Sequence, residues 1–475
     1  MKTIIKFIAV LFITAVVFTS CKKETIVAPP VTPPISNNKP PVAKAGPDQT
    51  ITLPNNAIIE GTGSSDPDGS IASYLWSQIS GPNQSVIINS SKVSSVVDNL
   101  IQGTYQLELK VTDNGGLFAK DTVQIFVNSY SCSSITDSIY ITNGNVRMIP
   151  FAQLSLSRIN LVSAAAGNKI VFAGGSKCDG NRWTGSTRVD IFDIVTQTRT
   201  TAELSQNNGE QLIAVSVANK ILIAHQGSTR VDIYDASSNS WTTAALSIAR
   251  DQMGSGSVGN KAFFAGGSGG INNPPISRID IYDASTNSWS TAELSEGREA
   301  IAATTVGDKL FFAGGYTNGD WFGGLETSRR VDVYNNSTNT WSTDSLTEER
   351  GAIGATTLNN KVFFAGGLND LGARKRVDIY NNDLQSWSTA TLSQARYRIQ
   401  SATLGNRILF DNGVILYGDD VTRFDIYDAS SNTWTTADLN LPLSGSTLIR
   451  AGNNVYVAGG YVKNKGSDKV WKLEF

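Results

Sequence analysis

The chain has 475 residues, 40% of them apolar, with 39 Lys and Arg against 41 Asp and Glu and a net charge of −2. This length suffices for about three domains with packed cores. The near-neutral balance excludes a protein that holds nucleic acid by neutralising many phosphates, so no nucleic-acid partner is expected. The single histidine, His225, excludes metal or hydrolytic sites that need two imidazoles. The composition favours binding over catalysis, and we expect a protein that is not an enzyme.

Residues 1–20 have the composition of an export signal, with two lysines before an apolar run at about residues 7–17. The run is too short to span a bilayer, so we expect it to be removed. The small residues before Cys21 resemble a bacterial lipoprotein signal. This resemblance implies that Cys21 is lipidated and is the only membrane contact of a cell-envelope protein, in an outer membrane, facing the periplasm or the surface. The alternative is an ordinary secretory signal with an incidental cysteine.

Cys132 and Cys178 are the remaining cysteines, and an exported chain can oxidise such a pair. They are therefore a candidate disulfide, although the sequence does not show whether the two Cα atoms lie close enough to be bridged. Two cysteines alone make a poor metal site.

Residues 21–39 are predicted to be a proline-rich linker, because six of the 14 prolines lie between residues 29 and 41. Proline favours extended polyproline II backbone, which serves as a spacer. Residues 40–129 then alternate in short strand patterns such as YQLELKV at 105–111. About 90 residues of this kind suit one β-sandwich.

Four motifs in this segment are AGPDQT at 45–50, GSSDPDGS at 63–70, YLW at 74–76 and VTDNGG at 111–116. Together they resemble the polycystic-kidney-disease (PKD) type immunoglobulin-like domain. The resemblance implies a spacer or adhesion module of a surface protein. The chain departs from the WDFGDG hallmark of that family, since residues 76–82 are WSQISGP.

Asp66, Asp68 and Asp113 are weak candidate ligands for a calcium ion, since their carboxylates are hard oxygen donors and some PKD-like domains bind calcium. No other cofactor is expected. The alternative is that Asp66-Pro67-Asp68-Gly69 forms a turn held by Asx hydrogen bonds.

The rest of the chain, residues 130–475, is periodic. The motif N/D-K-apolar-apolar-F-A-G-G recurs seven times at intervals averaging about 48 residues. Its second residue is in turn Lys169, Lys220, Lys261, Lys309, Lys361, Arg407 and Asn454. This period fits propeller blades of the kelch type better than helical solenoids or leucine-rich repeats.

Each unit continues with phrases such as RIDIYD at 278–283 and NSWSTA at 287–292. Alternation in the first phrase predicts a strand, and the apolar run before the di-glycine predicts a strand buried on both faces. The order of di-glycine, Tyr-Asp and Trp resembles the kelch repeat over about residues 138–475. The predicted fold is therefore all-β, a PKD-like β-sandwich followed by a seven-bladed kelch-type β-propeller.

The seventh copy ends with VWKLEF at 470–475, which matches a third strand, so its outermost strand is missing. Because an open edge is a liability, we predict that residues 145–149 pair beside it and close the ring. The alternative is that Ile139-Tyr140-Ile141 makes this contact.

The repeats serve as an internal control, because features common to every blade are architectural and departures are candidate functional features. Trp183 and Trp321 lie outside the repeated tryptophan position, in long connections after the di-glycine. With Phe322 they are candidate ligand-binding aromatics on one loop face, for a glycan or a protein. The alternative is that they cover loop hydrophobics. His225-Gln226 and Asp411-Asn412-Gly413 also replace the di-glycine, through function or drift.

A second candidate set on this face consists of arginines that each precede an innermost strand. Near a central channel their guanidinium groups would bind carboxylate or sulfate groups. The alternative is an architectural role, since the position recurs. The set is Arg158, Arg250, Arg298, Arg350 and Arg396.

Binding of a glycan or protein ligand by a monomeric, lipid-anchored protein is the first functional hypothesis. The second is an enzyme, since some bacterial kelch propellers interconvert sialic acid anomers and others are copper radical oxidases. One histidine excludes the oxidase. A mutarotase needs a buried carboxylate in the channel mouth, for which the candidates are Glu299, Glu326, Glu348 and Glu349. The third is a surface scaffold or adhesin without a small ligand.

Overall fold

The computed structural model describes residues 38–52, 56–100, 102–128, 139–144, 146–179, 182–206, 212–270, 273–318, 326–415, 422–462 and 465–475. The elements in these ranges are β-strands, and the chain divides into two compact units after Asn128. The predicted signal, Cys21 and most of the proline-rich linker lie outside the described residues. Within these ranges no helix has the length and apolar character needed to cross a membrane.

The first unit contains two β-sheets whose buried residues form one hydrophobic core. In spatial order, the four-stranded sheet consists of Gln49–Thr52, Phe118–Asn128, Gly103–Asp113 and Ile71–Ser80, and the three-stranded sheet of Ala57–Glu60, Ser94–Asp98 and Val86–Ile88. Alternate residues such as Leu107 and Leu109 are fully buried, as a strand with one core face requires. Trp76 lies in the core and its Nε1 donates a hydrogen bond to the Lys92 carbonyl at 3.2 Å.

The second unit consists mainly of seven antiparallel sheets, which we call blades one to seven in the chain order of their first strands. The first strands are Val162–Ala166, Leu212–Val217, Gly254–Val258, Ala302–Val306, Gly354–Leu358, Ser401–Leu404 and Ser444–Ala451. The second strands are Lys169–Ala173, Lys220–His225, Lys261–Ala265, Lys309–Ala313, Lys361–Ala365, Arg407–Phe410 and Asn454–Val462.

The third strands are Arg188–Asp193, Arg230–Asp235, Arg278–Asp283, Arg330–Asn335, Arg376–Asn381, Arg423–Asp428 and Lys469–Glu474. The fourth strands are Thr198–Glu203, Ser240–Ala245, Ser288–Glu293, Thr340–Ser345, Ser386–Thr391, Thr433–Leu439 and Arg147–Gln153. Shorter strands are Ile141–Asn143, Arg158–Ile159, Ser176–Asp179, Arg182–Gly185, Leu368–Asn369, Gly372–Ala373 and Lys465–Gly466.

The repeated phrases correspond to these strands. In blade five the second strand, Lys361–Ala365, has four consecutive fully buried side chains, because it packs between the neighbouring blades. The third and fourth strands are joined by a turn in which Tyr282 donates a hydrogen bond to Asn287 at 2.7 Å in blade three. Asn287 adopts a φ of 54°, a region that asparagine tolerates better than most residues. Blades two, four, five and six repeat this tyrosine contact.

The seven first strands contact one another in succession, and the first strand of blade seven contacts that of blade one. The blades therefore form a closed ring, a seven-bladed β-propeller. Arg147–Gln153 pairs antiparallel with Lys469–Glu474, which confirms the predicted closure of blade seven by the stretch that precedes the first motif. The alternative stretch also pairs, since Ile141–Asn143 forms a fifth strand on blade six instead.

Candidate functional site

The five arginines before the innermost strands lie inside the blades. Each is at most 1% exposed and forms an ion pair with an aspartate of the third strand. The pairs are Arg158 with Asp190, Arg250 with Asp280, Arg298 with Asp332, Arg350 with Asp378, and Arg396 with Asp425. Nε of Arg350 also donates to the Gly366 carbonyl at 2.6 Å. The expectation that these guanidinium groups face a ligand is therefore wrong, because their charges are neutralised within the blade, where an unpaired charge would be costly.

His225 has a related architectural role in blade two. Asn208 stands at the arginine position there, so Asp232 lacks the usual partner. His225 is fully buried, and its Nε2 lies 2.7 Å from Oδ2 of Asp232. The departure of His225 from the di-glycine motif is thus explained by the missing arginine.

The long connection of blade one forms a hairpin of Ser176–Asp179 and Arg182–Gly185. A Cβ atom on Gly466 would lie 2.7 Å from the ring of Trp183, so this half-buried indole packs on the glycine. This contact agrees with the covering role left open for Trp183. Trp321 and Phe322 lie outside the described residues. Cys178 is disulfide-bonded, whereas Cys132 lies outside the described residues, so their pairing stays a prediction.

The three aspartates of the first unit organise loops. Oδ1 of Asp113 accepts hydrogen bonds from the Gly115 and Leu117 amides at 2.8 and 2.9 Å. The Asp68 carboxylate accepts the Lys39 amide at 3.0 Å, and Asp66 accepts that of Asp68 at 3.4 Å. Among the described residues, no group of three or more His, Cys, Asp or Glu side chains is arranged to hold a metal ion. The turn interpretation therefore accounts for these aspartates.

A cavity of about 290 Å³ lies among the first residues of the innermost strands of blades six, seven, one and two, which are consecutive in the ring. A cavity shared by the inner ends of four consecutive blades lies at the mouth of the central channel. We call it the mouth cavity. Its lining is Asn160, Leu161, Val162, Leu212, Arg398, Gln400, Asp411, Asn412, Gly413, Val414, Leu443, Ser444, Gly445 and Ser446.

Asp411 is the carboxyl group of the mouth cavity. Its Oδ1 accepts hydrogen bonds from the amides of Gln400 at 2.8 Å and Gly413 at 3.1 Å. Burial raises the pKa of Asp411 to about 7, although these hydrogen bonds and the charge of Arg396 oppose the shift. The group therefore exchanges its proton near neutral pH. Asp411 and Asn412 were singled out in the sequence only as departures from the repeat.

Arg398 and Asn160 occupy one repeat position at the rim of the mouth cavity, two residues after a buried arginine. Both side chains are exposed and both residues have φ near 53°. Arg398 donates its amide to the Ala352 carbonyl at 2.8 Å, and Asn160 donates to Gly445 at 2.7 Å. Backbone bonds between neighbouring blades thus hold the rim, so the side chains at this position can differ from blade to blade.

Gln400 supplies a corresponding connection between blades six and seven through its side chain. Nε2 donates to the Ser446 carbonyl at 2.7 Å and Oε1 accepts the Leu448 amide at 2.8 Å. The amide group therefore imitates a strand residue between the two innermost strands and fixes one wall of the mouth cavity.

A second polar cluster lies around blades three to six. Burial raises the pKa of Glu299, which is 1% exposed, while a hydrogen bond with Ser268 opposes this shift and the Asp251 carboxylate adds to it. Burial also raises the pKa of Tyr316, against the charge of Arg398. Arg398 therefore acts electrostatically on this cluster and also lines the mouth cavity.

The other candidate glutamates are less enclosed than Glu299. Glu326 and Glu349 are exposed, and Glu348 forms an ion pair with Arg374. Of the four, Glu299 alone has the burial that proton transfer in a channel mouth requires.

Comparison with known proteins identifies the first unit. Residues 45–127 match a family of PKD domains of the KIAA0319-like type. The mouse dyslexia-associated protein KIAA0319-like protein is 35% identical over 111 residues, 22% of this chain and 10% of that protein. Human dyslexia-associated protein KIAA0319 is 39% identical over 92 residues, 19% of this chain and 8% of that protein. The chain thus spans about a tenth of the length of these relatives.

Mouse low-density lipoprotein receptor-related protein 11 is 33% identical over 99 residues, 20% of each chain. A solved structure titled "Structure of YjhT" aligns with 60% of this chain and 99% of its own, at 15% identity and a TM-score of 0.46. The fold and the matched family define an all-β protein with a PKD domain followed by a β-propeller.

Proposed function

We propose that this chain is a lipid-anchored binding protein of a bacterial cell envelope, and that the mouth cavity of its kelch-type propeller binds a glycan. The PKD domain serves as a spacer between Cys21 and the propeller. The observation that supports this proposal is the mouth cavity, whose lining includes residues that depart from the repeat.

The composition of the mouth cavity favours a sugar over a protein surface. Apolar side chains such as Leu161, Leu212 and Leu443 form part of its wall, and Arg398, Asn412 and other polar groups lie among them. Small-molecule sites have this mixture and begin at about 300 Å³. A protein partner requires an interface of about 800 Å² on each side. A concave site of 290 Å³ therefore suits one sugar ring with its hydroxyl groups.

The experiment is a glycan array followed by titration calorimetry, using the mature chain. Arg398→Ala and Asn160→Ala remove rim side chains at a position where Ala300 and Ala352 already occur with φ of 51°, so neither substitution strains the backbone. We expect each variant to weaken glycan binding about tenfold or more. Trp183→Ala is the control and should leave affinity within about twofold.

Equal losses in the control and the rim variants would place the site at the long connection of blade one. Unchanged affinity in both rim variants would remove the mouth cavity from the proposal. A wild-type chain that binds no glycan would leave protein attachment or scaffolding as the function.

A second candidate function is proton-transfer chemistry on a sugar, such as interconversion of anomers, as in kelch mutarotases. It is favoured by Glu299, a buried carboxyl group whose pKa is raised and which lies in one electrostatic network with Tyr316 and Arg398. Exchange spectroscopy of free sialic acid and neutral hexoses tests it. An enzyme would accelerate anomer exchange, and Glu299→Gln would abolish the acceleration while the melting temperature stays unchanged.

A further inference from the structure

The propeller carries an arginine at the first position of the third strand in blades one to six. In blades one, three and six an acidic residue lies directly opposite on the fourth strand. These ion pairs are Arg188 with Glu203, Arg278 with Glu293, and Arg423 with Asp438, at 3.0, 2.6 and 2.7 Å. In these three blades the rim charge is therefore neutralised within the repeat.

The neutralising residue is absent in the other three blades. The register places Ala245 opposite Arg230, Ser345 opposite Arg330 and Thr391 opposite Arg376. The repeat thus provides its own comparison, since the arginine is kept while its partner is lost.

Blade five adds two further cations, because Arg374 and Lys375 immediately precede Arg376. The three side chains line a cavity of about 320 Å³ together with Glu348, Ala373, Thr391 and Ala395. Glu348 is the single carboxylate of this lining. It forms an ion pair with Arg374 and lies 4.0 Å from Arg376, so the lining retains an excess of positive charge.

We propose that this cavity, the blade-five rim site, binds the sulfate or carboxylate groups of an acidic polysaccharide. The exposed Lys375 and Arg376 supply the main contacts, with the Arg376 guanidinium donating two parallel hydrogen bonds to an oxyanion. Arg374 is oriented by Glu348. The site does not depend on the proposed function, since it recognises charge at a cavity separate from the mouth cavity.

Charge distribution favours a polysaccharide over the other polyanions. A nucleic acid is held by many phosphate contacts together with stacking on aromatic rings, whereas this lining has three cations and no aromatic residue. A membrane surface requires an apolar face or a larger basic cluster. Three cations in one cavity match a few anionic groups on adjacent sugar units.

The test measures binding of the mature chain to dextran sulfate and polygalacturonate, with neutral dextran, a single-stranded oligothymidylate and phosphatidylglycerol vesicles as comparisons. Lys375→Ala and Arg376→Ala should each weaken polysaccharide binding at least fivefold at 50 mM salt. The matched control is Arg278→Ala, which changes the same repeat position in a blade where Glu293 neutralises it. It should change affinity less than twofold. Arg398→Ala should also have no effect.

Two results overturn the proposal. Equal weakening by Arg278→Ala would show that the polymer responds to total charge rather than to this cavity. Tighter binding of the oligonucleotide or of the vesicles at equal charge concentration would assign the site to another polyanion. Circular dichroism and melting curves of each variant separate lost binding from lost folding.

Discussion

The Nε2 atom of His225 lies 2.7 Å from Oδ2 of Asp232, in a blade where Asn208 stands at the position of the buried arginine. Burial by itself raises the pKa of Asp232, but hydrogen bonds from His225 and Ser205 outweigh it and hold the pKa below its ordinary value. One imidazole thus takes the place of the guanidinium that five other blades use, which gives the only histidine of the chain an architectural role.

Removal of this imidazole should destabilise the propeller. His225→Ala leaves the Asp232 carboxylate buried without its main partner, and a buried pair broken on one side costs about 3–5 kcal/mol. Urea unfolding at pH 7 measures the loss. The double variant His225→Ala/Asp232→Asn should recover part of it, because the stranded charge is gone. A loss below about 1 kcal/mol in the single variant would contradict the assigned role.

Asp411 should make stability depend on pH in a particular direction. Its pKa is about 7 in the folded chain and about 3.9 in the unfolded chain. Between these values the folded chain binds the extra proton, so the free energy of unfolding falls as pH rises from about 4 to 7. Asp411→Asn keeps an oxygen for the Gln400 and Gly413 amides but cannot titrate.

Relative to the wild type, Asp411→Asn should therefore gain stability as pH rises, by up to about 4 kcal/mol at pH 8. Urea titrations at pH 5, 6.5 and 8 give the comparison. Parallel pH profiles for the two proteins would contradict a raised pKa at this position.

Much of the propeller was predictable because one strand pattern recurs seven times, and residues 470–475 visibly lack a fourth strand. The pairing of Arg147–Gln153 followed from that missing edge. The fifth strand, Ile141–Asn143, was not predicted for blade six, because three residues carry too little alternation to choose between two open edges.

The candidate site was less predictable. The position of Arg350 beside a channel was a sound inference, but the direction of its side chain depends on Asp378, 28 residues later, which only the register of two strands brings close. Asp411 was visible as a departure from the repeat, yet the mouth cavity exists only because ring closure brings blade one beside blade seven.

Arg350 offers a direct test of its architectural role. Arg350→Met leaves Asp378 buried without its cation and should cost about 3–5 kcal/mol. Arg350→Met/Asp378→Leu removes both charges and should be much less destabilised, because a buried pair replaced by apolar groups is often neutral. Chemical denaturation measures both. Glycan affinity per folded molecule should stay at the wild-type value in the double variant, whereas a ligand-binding arginine would lower it.

Gln400 should stabilise the contact between blades six and seven. Gln400→Met keeps most of the volume but leaves the Leu448 amide and the Ser446 carbonyl without the side-chain amide. Loss of hydrogen-bond partners for buried groups costs about 1–3 kcal/mol. Gln400→Ala should cost at least as much, and thermal melting compares the two. A methionine variant as stable as the wild type would show that packing, rather than the two hydrogen bonds, is what this side chain contributes.

Closure of the ring should depend on Met148 far more than on Thr142, although the two residues lie in neighbouring segments. Met148 pairs with Leu473 and packs against the core that blades six and seven share. Met148→Lys places a charge in that core and exposes the edge of Lys469–Glu474, at a cost of about 2–5 kcal/mol. Thr142→Lys, on the exposed fifth strand of blade six, should cost at most about 1 kcal/mol. Hydrogen exchange should show faster amide exchange in the strands of blade seven for the first variant alone, and equal exchange in both variants would mean that the fifth strand shares the closure.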